Sequence, residues 1–323
     1  MDPGSARVIS MRHHVVSLVA VFLGLAVGIV LGSGLLADSV VSGLRDDKAE
    51  LRREVQEAED HGSRLEAQLL AADGFDSTIG PRIVRDELRD RTVLLVTTPD
   101  AAPEDVDAVV RSVGDAGGRV TARIALTDSF VDASGTDQLR TTVTNVVPAG
   151  VELQTGAVDP GSLAGDLLGA VLLVDPGTGQ PRSTPEERAL ALTTLRSGGF
   201  ITYEDSQVEP AQSALVVTGD HSGNAERAGN RGSLVARFAG VVDGRGAGAV
   251  LAGRTGAAEG NGPIAVVRAD AALAAGLSTV DNLDRESGRL TTVLALREQY
   301  DGGSGRYGTG PSATAVTVGS PAR

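Results

Sequence analysis

The sequence predicts an α/β protein in which an N-terminal transmembrane helix and a coiled-coil stalk precede a Rossmann-like, mostly parallel α/β domain. Three observations predict it. Val15 to Leu36 runs 22 residues without a charged side chain. Residues 38–73 are charged, with apolar residues at alternating steps of three and four. From Thr92 onward, short apolar, β-branched runs alternate with helical segments, the pattern of buried strands in a sheet covered on both faces.

Residues 1–14 form a short basic stub. The apolar stretch 15–36 would reach roughly 33 Å as a helix, enough to cross a hydrocarbon core of about 30 Å. Arg7 and Arg12 precede it and Asp38, Arg45, Asp46 and Asp47 follow. The positive-inside rule therefore places the stub in the cytoplasm and the remainder outside. A cleaved signal peptide is disfavoured, because the apolar run is too long and Leu35-Leu36-Ala37 is a poor cleavage site. Within the span, Ala20, Gly24, Gly28 and Gly32 recur every fourth residue, a small-residue ladder that lets two helix backbones approach closely.

The stalk, 38–73, fits a heptad register. Val41, Lys48, Val55, Gly62 and Leu69 take one core position, and Leu44, Leu51, Ala58, Leu65 and Ala72 the other. About four and a half repeats suggest a coiled coil, weakened by Lys48 and Gly62. With the ladder before it, this points to a homo-oligomer joined through both helices. Residues 74–91, broken by Gly74, Gly80 and Pro81, read as a hinge.

In the domain 92–300, TVLLVTT (92–98), RVTARIAL, GAVLLVD (169–175), ITYED, SALVVTGD, GAVLAGR and PIAVVRAD read as strands. APEDVDAVVRSVGDAGG, TPEERALALTTLRSGG, GSLVARFAGVV and Glu286 to Gln299 read as helices, with Thr184 and Pro185 opening the second. Residues 301–323, rich in Gly, Ser, Pro and Thr, read as a disordered tail.

The formal net charge of −13 excludes nucleic acid as the partner of the outer domain. With no cysteine there is neither a disulfide framework nor a thiolate site. The single lysine and the heavy use of Gly, Ala, Val and Arg suggest a GC-rich, actinobacterial source. No catalytic or cofactor-binding residue emerges. GRGAGA (244–249) has dinucleotide-loop spacing at Gly244, Gly246 and Ala249, but a helix precedes it and a strand follows, so it reads as a tight turn. His221, with Asp220 and Ser222, follows a strand in a polar loop without the surroundings of a nucleophile. Glu204 and Asp205 end a strand without partner histidines at metal-ligand spacing. These reasons argue against an enzyme.

The run VISMRHHVVSLVAVFLGLAVGIVLGSGLL, then SGLRDDKAELRREV, TVLLVTTPDA and VDNLDRESGRLTTVLALREQYDGGSGRYG, resembles the mycobacterial copper transport protein B (MctB) family over about residues 8 to 308. It overlaps the corynebacterial SteB envelope proteins. The resemblance starts at Val8, which implies that MDPGSAR precedes the family's usual start. It implies copper homeostasis through an envelope channel; the SteB group implies instead an envelope partner in cell division and cell-wall remodelling. Copper would then be a transported ion and not a cofactor. The ligand inventory is thin for a carrier: Cu(I) favours Cys or Met and Cu(II) clustered imidazoles, yet the chain has two Met and four His. His13 and His14 are the one adjacent pair, weak metal candidates whose side chains diverge by about 100 degrees on a helix. Two readings remain open: copper transport through an oligomer, implied by the family, and a non-catalytic membrane-anchored scaffold, favoured by the residues.

Overall fold

The computed structural model describes residues 11–33, 37–149, 151–153, 159–204, 208–220 and 225–320, with the backbone alone at 31–33, 37–47 and 225–229. The chain divides into two compact units, Met1–Ala71 and Ala72–Arg323.

The first unit is helical. Helix α1 spans Met11–Ser33, so the apolar stretch begins inside a helix that already includes Arg12, His13 and His14; residues 34–36 lie outside the described set. Its side chains from Met11 to Val30 are exposed, Val15, Leu18, Phe22, Leu25 and Ile29 among them. Among the described residues one helix, at Met11–Val30, is long and apolar enough to cross a membrane. Helix α2, Ala37–Ile83, is 47 residues in one run, about 70 Å of helix.

The expected hinge at 74–91 is corrected by this run. Helix α2 passes through Gly74 and Gly80 and carries Pro81 in its last turn. The carbonyl of Gly74 accepts the hydroxyls of Ser77 and Thr78, at 3.0 and 2.9 Å. A turn follows, pinned into the core by fully buried Val84 and Leu88, with the Leu88 amide donating to Ala116.

The body is a seven-stranded sheet in the order β3-β2-β1-β4-β5-β6-β7. The strands are β1 (Thr92–Thr97), β2 (Arg119–Leu126), β3 (Ile201–Tyr203), β4 (Ser213–Val217), β5 (Ala249–Ala252), β6 (Ser278–Val280) and β7 (Arg306–Tyr307). All pairings are parallel except β2 with β3. The helices are α3 (Pro103–Asp115), α4 (Asp128–Val131), α5 (Thr136–Asn145), α6 (Pro160–Leu172), α7 (Pro185–Ser197), α8 (Ala225–Asp243), α9 (Pro263–Ala269), α10 (Ala271–Gly276) and α11 (Glu286–Tyr300).

Alternate residues of β1 face opposite layers. Leu94 and Val96 join a core with α5, α6, α7, α8 and α9, including Leu167, Leu195 and Phe238. Val93 and Leu95 join a second core with α3, α11 and the turn after α2, including Val109, Val293 and Leu88. Helix α7 starts as its sequence dictates, with a reciprocal cap between Thr184 and Glu187 and Pro185 in the first turn.

Two expected strands are helices. GAVLLVD is mostly the end of α6, with only Leu173 and Val174 making isolated bridges, to Ala211 and Pro181. Gly161, Gly165 and Gly169 lie on one face of α6, the first two against the backbone of α8 and the third against the side chain of Arg245 just beyond it: a Cβ there would meet the Leu234 oxygen at 2.5 Å, the Phe238 oxygen at 2.6 Å and the Arg245 Cβ at 2.8 Å. PIAVVRAD is α9, because Pro263 sits at its first turn and Ile264 and Val267 recur at helical spacing in the core.

The tail, expected to be disordered, is ordered to residue 320. β7 pairs with β6, and Tyr307 and Ala315 are buried. Buried Arg268 binds buried Asp281 at 2.6 Å and donates to the carbonyls of Tyr307 and Pro311. Asp281 in turn accepts the amides of Thr309 and Gly310, at 2.7 and 2.9 Å. Any Cβ on Gly308 would collide with that carboxylate. Polar composition did not prevent order here, because the backbone itself supplies the partners of a buried ion pair.

Candidate functional site

The crossover direction reverses between β1 and β4, the place where open α/β sheets bind ligands outside the carboxyl ends of the strands. Among the described residues, the chain's own groups crowd that crevice. The Thr98 amide donates to Val217, and the Thr98 hydroxyl turns to the Asp100 carboxylate. Gly219 lies so close to the Asp100 carbonyl that a Cβ there would overlap it. The Gly256 amide donates to Asp220 at 2.8 Å.

Where a phosphate would meet the start of α3, the first turn carries Glu104 and Asp105. Arg254 spans both, 2.8 Å from Glu104 and 2.7 Å from nearly buried Asp105, and Arg289 approaches Asp105 at 3.7 Å. Its own backbone amide and then Arg254 hold Glu104 below the usual carboxylate range. These carboxylates repel an anion at the helix end that would otherwise attract one.

Of the remaining candidates of the body, only Asp220, Glu204 and the GRGAGA turn lie among the described residues. Asp220 is engaged by Gly256, while His221 and Ser222 lie outside the described residues. Glu204 is exposed beyond β3, and Asp205 lies outside the described residues. GRGAGA joins α8 to β5: Gly246 passes the Gln212 carbonyl, and Gly248 adopts φ +102° against Gln299. It is a turn between a helix and a strand. The Asp243 carboxylate closes that turn by accepting the Ala249 amide at 2.7 Å. Burial pushes its pKa up to about 6.

The first unit offers a different kind of site. A Cβ on Gly24 or Gly28 would meet nothing within 4 Å, so the ladder face is open in a single chain, and Ala20 is exposed one turn before Gly24. Gly32 lies in α1 with its surroundings outside the described set. His13 and His14 are exposed at the start of the helix. Among the described residues no three of His, Cys, Asp or Glu gather where they could hold a metal ion. Along α2, Leu51, Val55, Leu65 and Leu69 are 46–61% exposed and Ala58 is exposed too; Leu44 lies in the helix with its side chain outside the described set.

The geometry alone names no activity, but the sequence has relatives along its whole length. A family model described as "Copper transport outer membrane protein, MctB" matches residues 8–318. The chain belongs to the MctB family. It is 46% identical over 313 residues to the protein named Copper transporter MctB from Mycobacterium tuberculosis (strain ATCC 25618 / H37Rv), covering 96% of this chain and 99% of that one. The Mycobacterium leprae (strain TN) protein of the same name is 45% identical over 316 residues, with the same coverage. The MctB family is named for transport and not for a reaction. Its description mentions an outer membrane; the described strands here form an open, mostly parallel sheet with helices on both faces, not the closed antiparallel barrel that spans such membranes.

The four-residue spacing in α1 and the heptad spacing in α2 fall within continuous helices. The glycine face of α6 was missed, although Gly161, Gly165 and Gly169 show the same four-residue period as the ladder in α1.

Proposed function

We propose that this chain is a membrane-anchored envelope protein acting in copper transport or homeostasis, with residues 1–14 cytoplasmic and the α/β body outside. Family membership over nearly the whole chain carries this reading. Basic residues before the span and acidic residues after it support the orientation. Several copies of α1, packed through Ala20, Gly24, Gly28 and Gly32 and continued by the coiled coil of α2, would enclose the path. Copper is cargo in this reading, and His13 and His14 of neighbouring copies would stand at its cytoplasmic mouth. The Rossmann-like body would keep its architecture without a cofactor.

A second reading is favoured by the crowded crevice and the open stripe of α2: a non-catalytic scaffold that binds an envelope protein in cell division and cell-wall remodelling. Copper efflux from sealed liposomes carrying the full-length protein separates the two. Efflux that is lost when Gly24 and Gly28 are changed to Leu supports transport through the helix assembly. No efflux from folded, inserted protein refutes direct transport and leaves the scaffold.

A further inference from the structure

Helix α2 changes neighbours along one continuous face. From Leu51 to Leu69, about five turns, that face is apolar and exposed. At about 100 degrees per residue the same face continues through Ala72 to Asp76, Ile79 and Gly80. There the body covers it. Asp73 pairs with Arg285 at 2.9 Å and accepts the Glu286 amide at the start of α11. Gly80 is buried against Leu290, whose Cδ2 would lie 2.7 Å from a Cβ, and Asp76 and Ile79 are half-buried. One stripe is thus closed by the chain's own α11 at its end and open before it.

We infer that a second copy of this chain covers Leu51 to Leu69 as a parallel, in-register two-stranded coiled coil, and that pairing stops at Ala72 because the body occupies the same face beyond it. The inference rests on the self-association proposed above. A second copy is the fitting occupant because two chains leaving one bilayer present identical stripes side by side, in the same direction and at the same height. Lys48 at a core position is the kind of polar residue that fixes register and favours two strands. In that register His61 of one copy lies opposite Glu66 of the other, while Glu54 faces Glu59. The flanks therefore add little, and the apolar seam carries the association.

The chain has no cysteine, so single cysteines can be introduced without background. The test uses full-length protein in liposomes and a short bis-maleimide crosslinker, comparing each variant with Ala67→Cys on the opposite side of α2. Val55→Cys, Leu65→Cys and Leu69→Cys should give at least fivefold more crosslinked dimer than that control. Asp76→Cys and Ile79→Cys should match the control, and Asp76→Cys decides if the half-buried Ile79 variant misfolds. Control-level yields everywhere overturn the pairing. Seam-level yields at Asp76 overturn the stop at Ala72 while leaving self-association standing. Copper efflux in liposomes of the uncrosslinked protein tests transport independently, so failure of one reading is distinguishable from failure of the other.

Discussion

Replacing Gly165 by Ala tests how closely α6 and α8 must approach. The added Cβ would stand 2.6 Å from the Phe238 carbonyl oxygen and 3.2 Å from the Phe238 Cα. Ordinary contact begins near 3.4 Å, so the helices must separate by about 0.8 Å. The obstructing atom belongs to a helix backbone and cannot rotate away, and neighbouring Gly161 and Gly169 are as tightly placed. Overpacking of this kind costs about 3 kcal/mol at the upper end, and the better helix propensity of Ala returns about 1. The net loss should be about 2 kcal/mol. Gly114→Ala in α3, where a Cβ meets nothing within 4 Å, is the control and should gain about 0.5–1 kcal/mol. The chain has no Trp, and its three Tyr (Tyr203, Tyr300 and Tyr307) all lie in the body. Urea unfolding followed by tyrosine fluorescence therefore reports the body alone. A Gly165→Ala protein as stable as the wild type would show that the interface relaxes freely, and the reasoning would fail.

Two further outcomes follow from buried charge. The pKa of Asp243 is raised above its unfolded value, so its stabilising contribution is full at low pH and is lost as pH rises through about 6. The wild type should lose about 2 kcal/mol relative to Asp243→Asn between pH 4 and pH 8, from the difference between their urea unfolding curves; parallel pH profiles would refute this. Arg268→Met leaves the Asp281 carboxylate buried without its cation and should cost about 3–5 kcal/mol. It should also expose residues 301–320 to limited proteolysis; a tail that stays protected would mean that the ion pair does not hold it.

Much of the body was legible because parallel strands buried on both faces must be apolar: TVLLVTT, SALVV and AVLA stand out for that reason, while RVTARIAL, with Arg119 and Arg123 exposed, was readable from its β-branched run. The helices α3, α7 and α11 were legible from their caps and periodicity. The failures have physical causes. A continuous apolar run such as GAVLLVD fits a buried helix as well as a buried strand, and only the preceding Pro160 and the glycine period distinguish them. In PIAVVRAD, Pro263 after Gly262 was the available signal for a helix start. β6 and β7 are too short to carry a pattern. The ordered tail depends on Arg268 and Asp281, whose pairing no local pattern reveals. The small-residue spacing of α1 was readable as a fixed interval along one helix, whereas the close approach of Gly219 to Asp100 joins residues far apart in sequence.

That crowded crevice has a practical consequence. At the ends of β1 and β4 a ligand would compete with the segment from Thr98 to Asp100, whose Thr98 amide extends the ladder between those strands by donating to Val217. Small-molecule screens aimed at the habitual berth of this architecture would therefore have to contend with that segment. Compounds meant to disable the protein should instead be sought along the open flank of its long helix.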